Sequence, residues 1–231
     1  MRGTLFLLIV GLGGAGILIA LGVWQVQRLA WKEGVIADIN ARIVSAPAAL
    51  PASPDREADA YLPVRAAGTL DTGFLRVLVS QKTEGAGYRI IAPFALTGGR
   101  RVMADLGFLP VDTAEFQRPN GQITITGNLQ WPDETDGFTP APDREGNIWF
   151  ARDVDLMAEA LSTEALLLVA RAVAPPIGEV TPLPVDTSRI PNNHLQYAVT
   201  WFSLAVIWLA MSLYFYRRRA ETRATRSADT Q

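Results

Sequence analysis

Two uncharged apolar stretches constrain this chain more than any other feature. No Asp, Glu, Lys or Arg interrupts residues 3–27, and none interrupts residues 195–216. About 20 apolar residues in a helix cross the hydrocarbon core of a bilayer. Lipid offers no partners to backbone polar groups, so a crossing stretch is helical. The chain therefore reads as two transmembrane helices with one ordinary-sized domain between them.

The first span, about residues 4–24, is longer than a signal-peptide core of about 7–15 residues, and no small-x-small site follows it. It is expected to be retained. It opens too early for an Arg-rich presequence, which favours a bacterial inner (plasma) membrane over an organelle. Basic residues set the orientation. Arg217, Arg218, Arg219, Arg223 and Arg226 follow the second span against Glu221 and Asp229, and Arg2 precedes the first. Both termini are therefore expected in the cytoplasm and the middle in the periplasm. Residues 28–193 carry 15 basic and 21 acidic side chains. That balance argues against nucleic acid or an anionic lipid surface as partner, leaving membrane lipid only as the solvent of the spans.

There is no cysteine and a single histidine, His194. Thiol nucleophiles, Cys-based zinc or copper sites and covalent haem attachment are excluded. So is any cluster needing two histidines. No spacing of carboxylates forms a recognisable catalytic motif, so no catalytic residue is assigned and the chain does not read as an enzyme.

Between the spans, residues 24–43 have the apolar spacing of a helix leaving the membrane. Prolines 47, 51 and 54 mark a linker. Strand patterns follow at 61–70, 74–80, 88–96, 101–109 and 121–131, punctuated by Gly and Pro. Residues 153–161 predict a short helix capped by Asp153 or Asp155, and 166–173 a buried strand. Five prolines in 175–191 predict a stiff lead-in to the second span. The expected architecture is two transmembrane α-helices flanking an α+β extracytoplasmic domain dominated by antiparallel β-sheet, with a small barrel as one form. The divisions are 1–27 (first span), 28–60 (exit helix and linker), 61–174 (β-rich domain), 175–193 (proline-rich linker), 194–216 (second span) and 217–231 (basic tail).

The segment Pro191-Asn192-Asn193-His194 places two amides and the only imidazole at the mouth of the second span. On a helix from His194, Tyr197, Trp201, Ala205 and Trp208 share its face. Aromatic rings collect at membrane interfaces whatever the protein does, and a histidine there can simply bond backbone or water. The functional alternative is that neutral His194 ligates haem iron while the aromatic stripe contacts the porphyrin. On the first span, Gly11, Ala15 and Gly22 share one face and Gly13, Gly16 and Ala20 another. Small residues let helices approach closely, and a flat macrocycle between the spans would use the same surface. Trp24, Gln25 and Arg28 stand level with His194, where Arg28 could pair with a propionate or anchor at headgroups.

Gly22-Val23-Trp24-Gln25, Arg28 and Trp31-Lys32 resemble the N-terminal signature of the Surfeit locus protein 1 family of cytochrome c oxidase assembly factors. Asn192-Asn193-His194-Leu195-Gln196-Tyr197-Ala198, with Thr200-Trp201-Phe202, is similar to its C-terminal signature. Tyr61-Leu62-Pro63-Val64 and Tyr88-Arg89-Ile90-Ile91-Ala92-Pro93-Phe94 resemble its middle blocks. In one departure, Leu106-Gly107-Phe108-Leu109-Pro110 stands where the family usually has Arg-Gly-Trp before Val-Pro; the glycine and proline predict a preserved turn. The resemblance implies transient binding of haem a, with His194 on the iron and Trp24 as a second contact. It implies haem a synthase and cytochrome c oxidase subunit I as partners. A cofactor-free scaffold that gathers oxidase assembly partners is the alternative.

Overall fold

The computed structural model describes residues 2–113, 116–188 and 190–228. The side chains of Arg2, Arg223 and Arg226, and Asp229 itself, lie outside what is described. The chain order is α1 (Arg2–Ile43), β1 (Pro63–Leu70), β2 (Leu75–Gln81), β3 (Gly85–Leu96), β4 (Arg101–Pro110), β5 (Gln122–Gln130), β6 (Ile148–Trp149), α2 (Val154–Leu161), β7 (Leu167–Ala174) and α3 (His194–Ala228). Two compact units result. One holds the first 37 residues and those from Ser188 on; the other is Asp38–Thr187.

The stretches Leu8–Ile43 and His194–Glu221 are long and apolar enough to cross a membrane. Only 22% and 11% of their most apolar windows are buried. Most of their apolar side chains therefore face outward, as lipid-facing helices require and core helices of a soluble domain do not.

The second unit is a seven-stranded, mostly antiparallel sheet in the order β1-β5-β7-β4-β3-β2-β6. β1 also pairs with β3 through Gly68–Leu96, Thr69–Ala95 and Leu70–Phe94. The pairings β1–β5–β7–β4–β3–β1 thus form a closed circuit, with β2 and β6 appended to β3. Successive strand residues point to opposite faces, and both faces of the central strands are covered. Ile90, Phe94, Ala104, Leu106, Ile125 and Leu168 fill one core. Ile91, Met103, Leu167 and Val169 face the other, beneath Val154, Met157 and Leu161 of α2. That two-sided burial is why β7 opens on the apolar run Leu167–Ala170, before Arg171. Asp153 caps α2 as expected, its carboxylate accepting from Leu156 N at 3.0 Å.

Three local readings change. The strand expected at 88–96 begins earlier: Gly85, Ala86 and Gly87 open β3 and complete its hairpin with β2. The predicted turn at Gly107 is a bulge inside β4: Ile90 faces Gly107 while Ile91 faces Asp105, leaving Leu106 as the extra residue. Gly107 has φ +122°, and a Cβ there would meet Thr181 O at 2.1 Å. Close backbone approach, not a turn, requires that glycine. The proline-rich segment is also laid against the sheet. Thr181 bridges Phe108 with reciprocal backbone bonds of 2.7 and 2.9 Å, and Ile177 and Val185 are buried in the two cores. The short strand β6 had no sequence signal beyond Trp149.

Candidate cofactor site on the paired helices

Within the first unit, α1 and α3 run antiparallel along a seam repeating every three to four residues. The seam positions on α3 are His194, Ala198, Trp201, Ala205, Trp208 and Ser212. On α1 they are Gly11, Gly14, Ala15, Leu18, Gly22, Gln25 and Leu29. The spacing is that of left-handed helix pairs. Small residues on one helix receive large ones from the other. A Cβ at Gly14 would lie 2.5 Å from Trp208 Nε1, and one at Gly22 would lie 2.6 Å from Phe202 Cε1. The Trp208 indole is held in place, donating to the carbonyls of Val10 at 3.3 Å and Gly11 at 3.1 Å. Gly13 and Gly16 belong to a different face with nothing close to them.

At Gly11, Gly14 and Gly22 the small-residue face receives Ser212, Trp208 and Phe202, as direct helix–helix packing requires.

At one end of the seam, His194 begins α3, with the carbonyl of Asn193 accepting from Tyr197 N at 3.2 Å. The imidazole Nδ1 lies 2.8 Å from Oε1 of Gln25. Gln25 is only 8% exposed and His194 is half-buried. A carbonyl oxygen can only accept, so in the neutral ring this contact is made by the tautomer with Nδ1 protonated and the Nε2 lone pair free. Such an imidazole is suited to a metal, since ligating histidines characteristically donate their other N–H to an acceptor. Nearby on the seam, the Trp201 indole N–H is buried without a hydrogen-bond partner, as is Asn192 Oδ1. The donor set and these unpaired groups are compatible with a single-ligand haem site.

The other expected contributors are distributed around this pair. Ala198, four residues after His194, occupies the seam, and Tyr197 is exposed beside it. The stripe read at an offset of three follows an offset of four at its first step. Arg28 stacks over the Trp31 ring, 3.9 Å from its centroid, and Trp24 is exposed on a neighbouring face. Among the described residues, no cluster of three His, Cys, Asp or Glu side chains could hold a metal ion.

In the sheet domain, one charged group escaped the sequence reading. Asp105 is wholly buried in β4, paired to Arg89 and 3.5 Å from Arg152, while its Oδ1 accepts from Gly107 N at 3.2 Å. Arg152 also bonds Glu134 at 2.5 Å and Gln130 at 3.0 Å. Burial opposes the charge on Arg152, but Glu134 and Asp105 outweigh it and raise its pKa. Burial likewise opposes the charge on Glu134, but its bonds to Arg152 hold the carboxyl below its ordinary range. The available signal was a lone carboxylate within the apolar run of β4.

Two membrane-length helices paired through a small-residue seam, with a β-rich domain inserted between them in sequence, define the class of this protein. Residues 13–206 match the model of the SURF1 family, and the chain belongs to that family. It is 29% identical to human Surfeit locus protein 1 over 80% of this chain and 69% of that one. It is 33% identical to a SURF1-like protein of Monosiga brevicollis over 88% and 85% of the two chains. A SURF1-like protein of Drosophila melanogaster is 32% identical over 86% of this chain and 72% of its own.

Proposed function

We propose that this chain is an assembly factor for haem-copper cytochrome c oxidase that holds haem a through His194 and assists its insertion into the catalytic subunit. Membership of the SURF1 family supports the role in oxidase assembly. The haem reading rests on one observation: the chain's only imidazole is tied at Nδ1 to Gln25, which leaves Nε2 able to ligate. His194 would hold the haem through its imidazole, and the group when bound would supply an iron that takes a nitrogen ligand. Trp201 offers an unpaired N–H, Tyr197 an exposed ring, and Arg28 a cation for a propionate; Trp24 extends the aromatic surface. Haem a synthase is the expected donor and oxidase subunit I the acceptor. By the basic-residue rule the site faces the periplasm at an inner membrane.

The test is to purify the chain from cells making haem a and record its visible spectrum. Wild type should carry haem, and His194→Ala should lose it. Unchanged haem in His194→Ala would sink the ligand assignment. Oxidase subunits copurifying with wild type that lacks haem would favour the cofactor-free scaffold.

A further inference from the structure

We propose that Gln25 is the positioning residue for His194, holding the imidazole in the tautomer that keeps Nε2 free for iron. The inference rests on the haem reading above, but the tautomer can be read without haem.

A neutral imidazole has one N–H, and in water the Nε2–H form of histidine predominates. That form would block the nitrogen that projects farthest from the backbone. At 2.8 Å, Gln25 Oε1 stabilises the opposite form by accepting from Nδ1. The amide is itself constrained. Gln25 lies on the seam one turn beyond Gly22, where Phe202 packs, and it is buried. Letting the ring flip would leave a buried carbonyl unpaired, and that penalty favours a single tautomer. A neutral amide also polarises the imidazole less than a carboxylate would, which suits a ligand that must release its cargo. Acceptors of this kind typically change metal affinity about 10–100-fold when removed.

The experiment uses the full chain in lipid nanodiscs, labelled with ¹⁵N-histidine. His194 is the only histidine, so the spectrum contains one imidazole. At a pH where the ring is neutral, wild type should show a protonated Nδ1 and an unprotonated Nε2. Gln25→Leu removes the acceptor and should return the ring to its solution mixture; Gln25→Glu keeps an acceptor and should retain the Nδ1–H form. Iron protoporphyrin IX, titrated by its Soret band, should bind Gln25→Leu about 10–100-fold more weakly than wild type. Gln25→Glu should bind at least as tightly as wild type, which separates lost positioning from misfolding. A predominant Nε2–H form in wild type, or an unchanged tautomer in Gln25→Leu, would overturn the proposal. So would an affinity insensitive to Gln25→Leu. An Nδ1–H ring in a wild type that binds no porphyrin would instead defeat the haem reading and, with it, the iron role.

Discussion

Asp105 shows how much one side chain can carry. It is fully buried and neutralises two arginines arriving from β3 and from the approach to α2. Asp105→Ala would strand Arg89 and leave Arg152 with Glu134 alone, a change that commonly costs about 3–5 kcal/mol. Denaturant unfolding should show that loss, while Asp71→Ala, whose exposed pair with Arg101 is at the surface, should cost under about 1 kcal/mol. Glu134 adds a pH dependence. Its folded carboxyl titrates below its ordinary value because Arg152 outweighs burial. Its contribution is therefore complete above the unfolded carboxylate's pKa and disappears as pH falls through the depressed folded one. The melting temperature of Glu134→Gln should fall below that of wild type at neutral pH and converge on it in acid. His194 could be picked out from the sequence because it is alone and sits at a span boundary. Its dependence on Gln25 could not, because contact between positions so far apart appears only once the two helices pair.

Glycines tell the same story at the level of elements. The face of Gly11, Ala15 and Gly22 was readable from helical spacing, and those residues do lie on the seam. Spacing did not reveal that Trp208 and Phe202 fill it, because α3 has aromatic residues on several faces. Gly14→Ala forces a Cβ against a doubly bonded indole and should destabilise the helix pair by about 1–3 kcal/mol. Gly13→Ala, with nothing near its Cβ, should be neutral or slightly stabilising. Thermal melts of the two variants in one detergent, followed by tryptophan fluorescence, compare them directly. In the sheet, Gly107→Ala should break the Thr181–Phe108 bridge, since the obstacle is backbone and φ is left-handed. Hydrogen exchange at Thr181 N and Phe108 N should rise in that variant. Pattern alone made Gly107 look like a turn, because a bulge depends on the register of the neighbouring strand.

On the scale of the whole molecule, strand order was the part least visible in sequence. Runs between Gly and Pro located five of the strands and an apolar run located β7, but joining β7 between β5 and β4 depends on a parallel pairing with β4 that no local signal encodes. Where the sheet domain begins is also set by distant contacts. Ile43 is buried in the α2-side core, and its carbonyl accepts from Asn128 Nδ2 at 3.0 Å and Arg171 at 3.1 Å. A fragment starting at Asp38 should therefore melt several degrees above one starting at Ser45, both ending at Thr187, as circular dichroism can show.

The circuit of strand pairings has a consequence for how copies of this chain meet. β1, β3, β4, β5 and β7 each have hydrogen-bonded neighbours on both sides over part of their length. β2 is backed by β6 only at Arg76 and Val77, which leaves the length from Leu78 to Gln81 without a second named strand. An unpaired strand margin is where chains aggregate. The Leu78–Gln81 margin of β2 is therefore a short place for cross-β growth from the folded domain to begin, and a proline at Val79 would be the change to suppress it there.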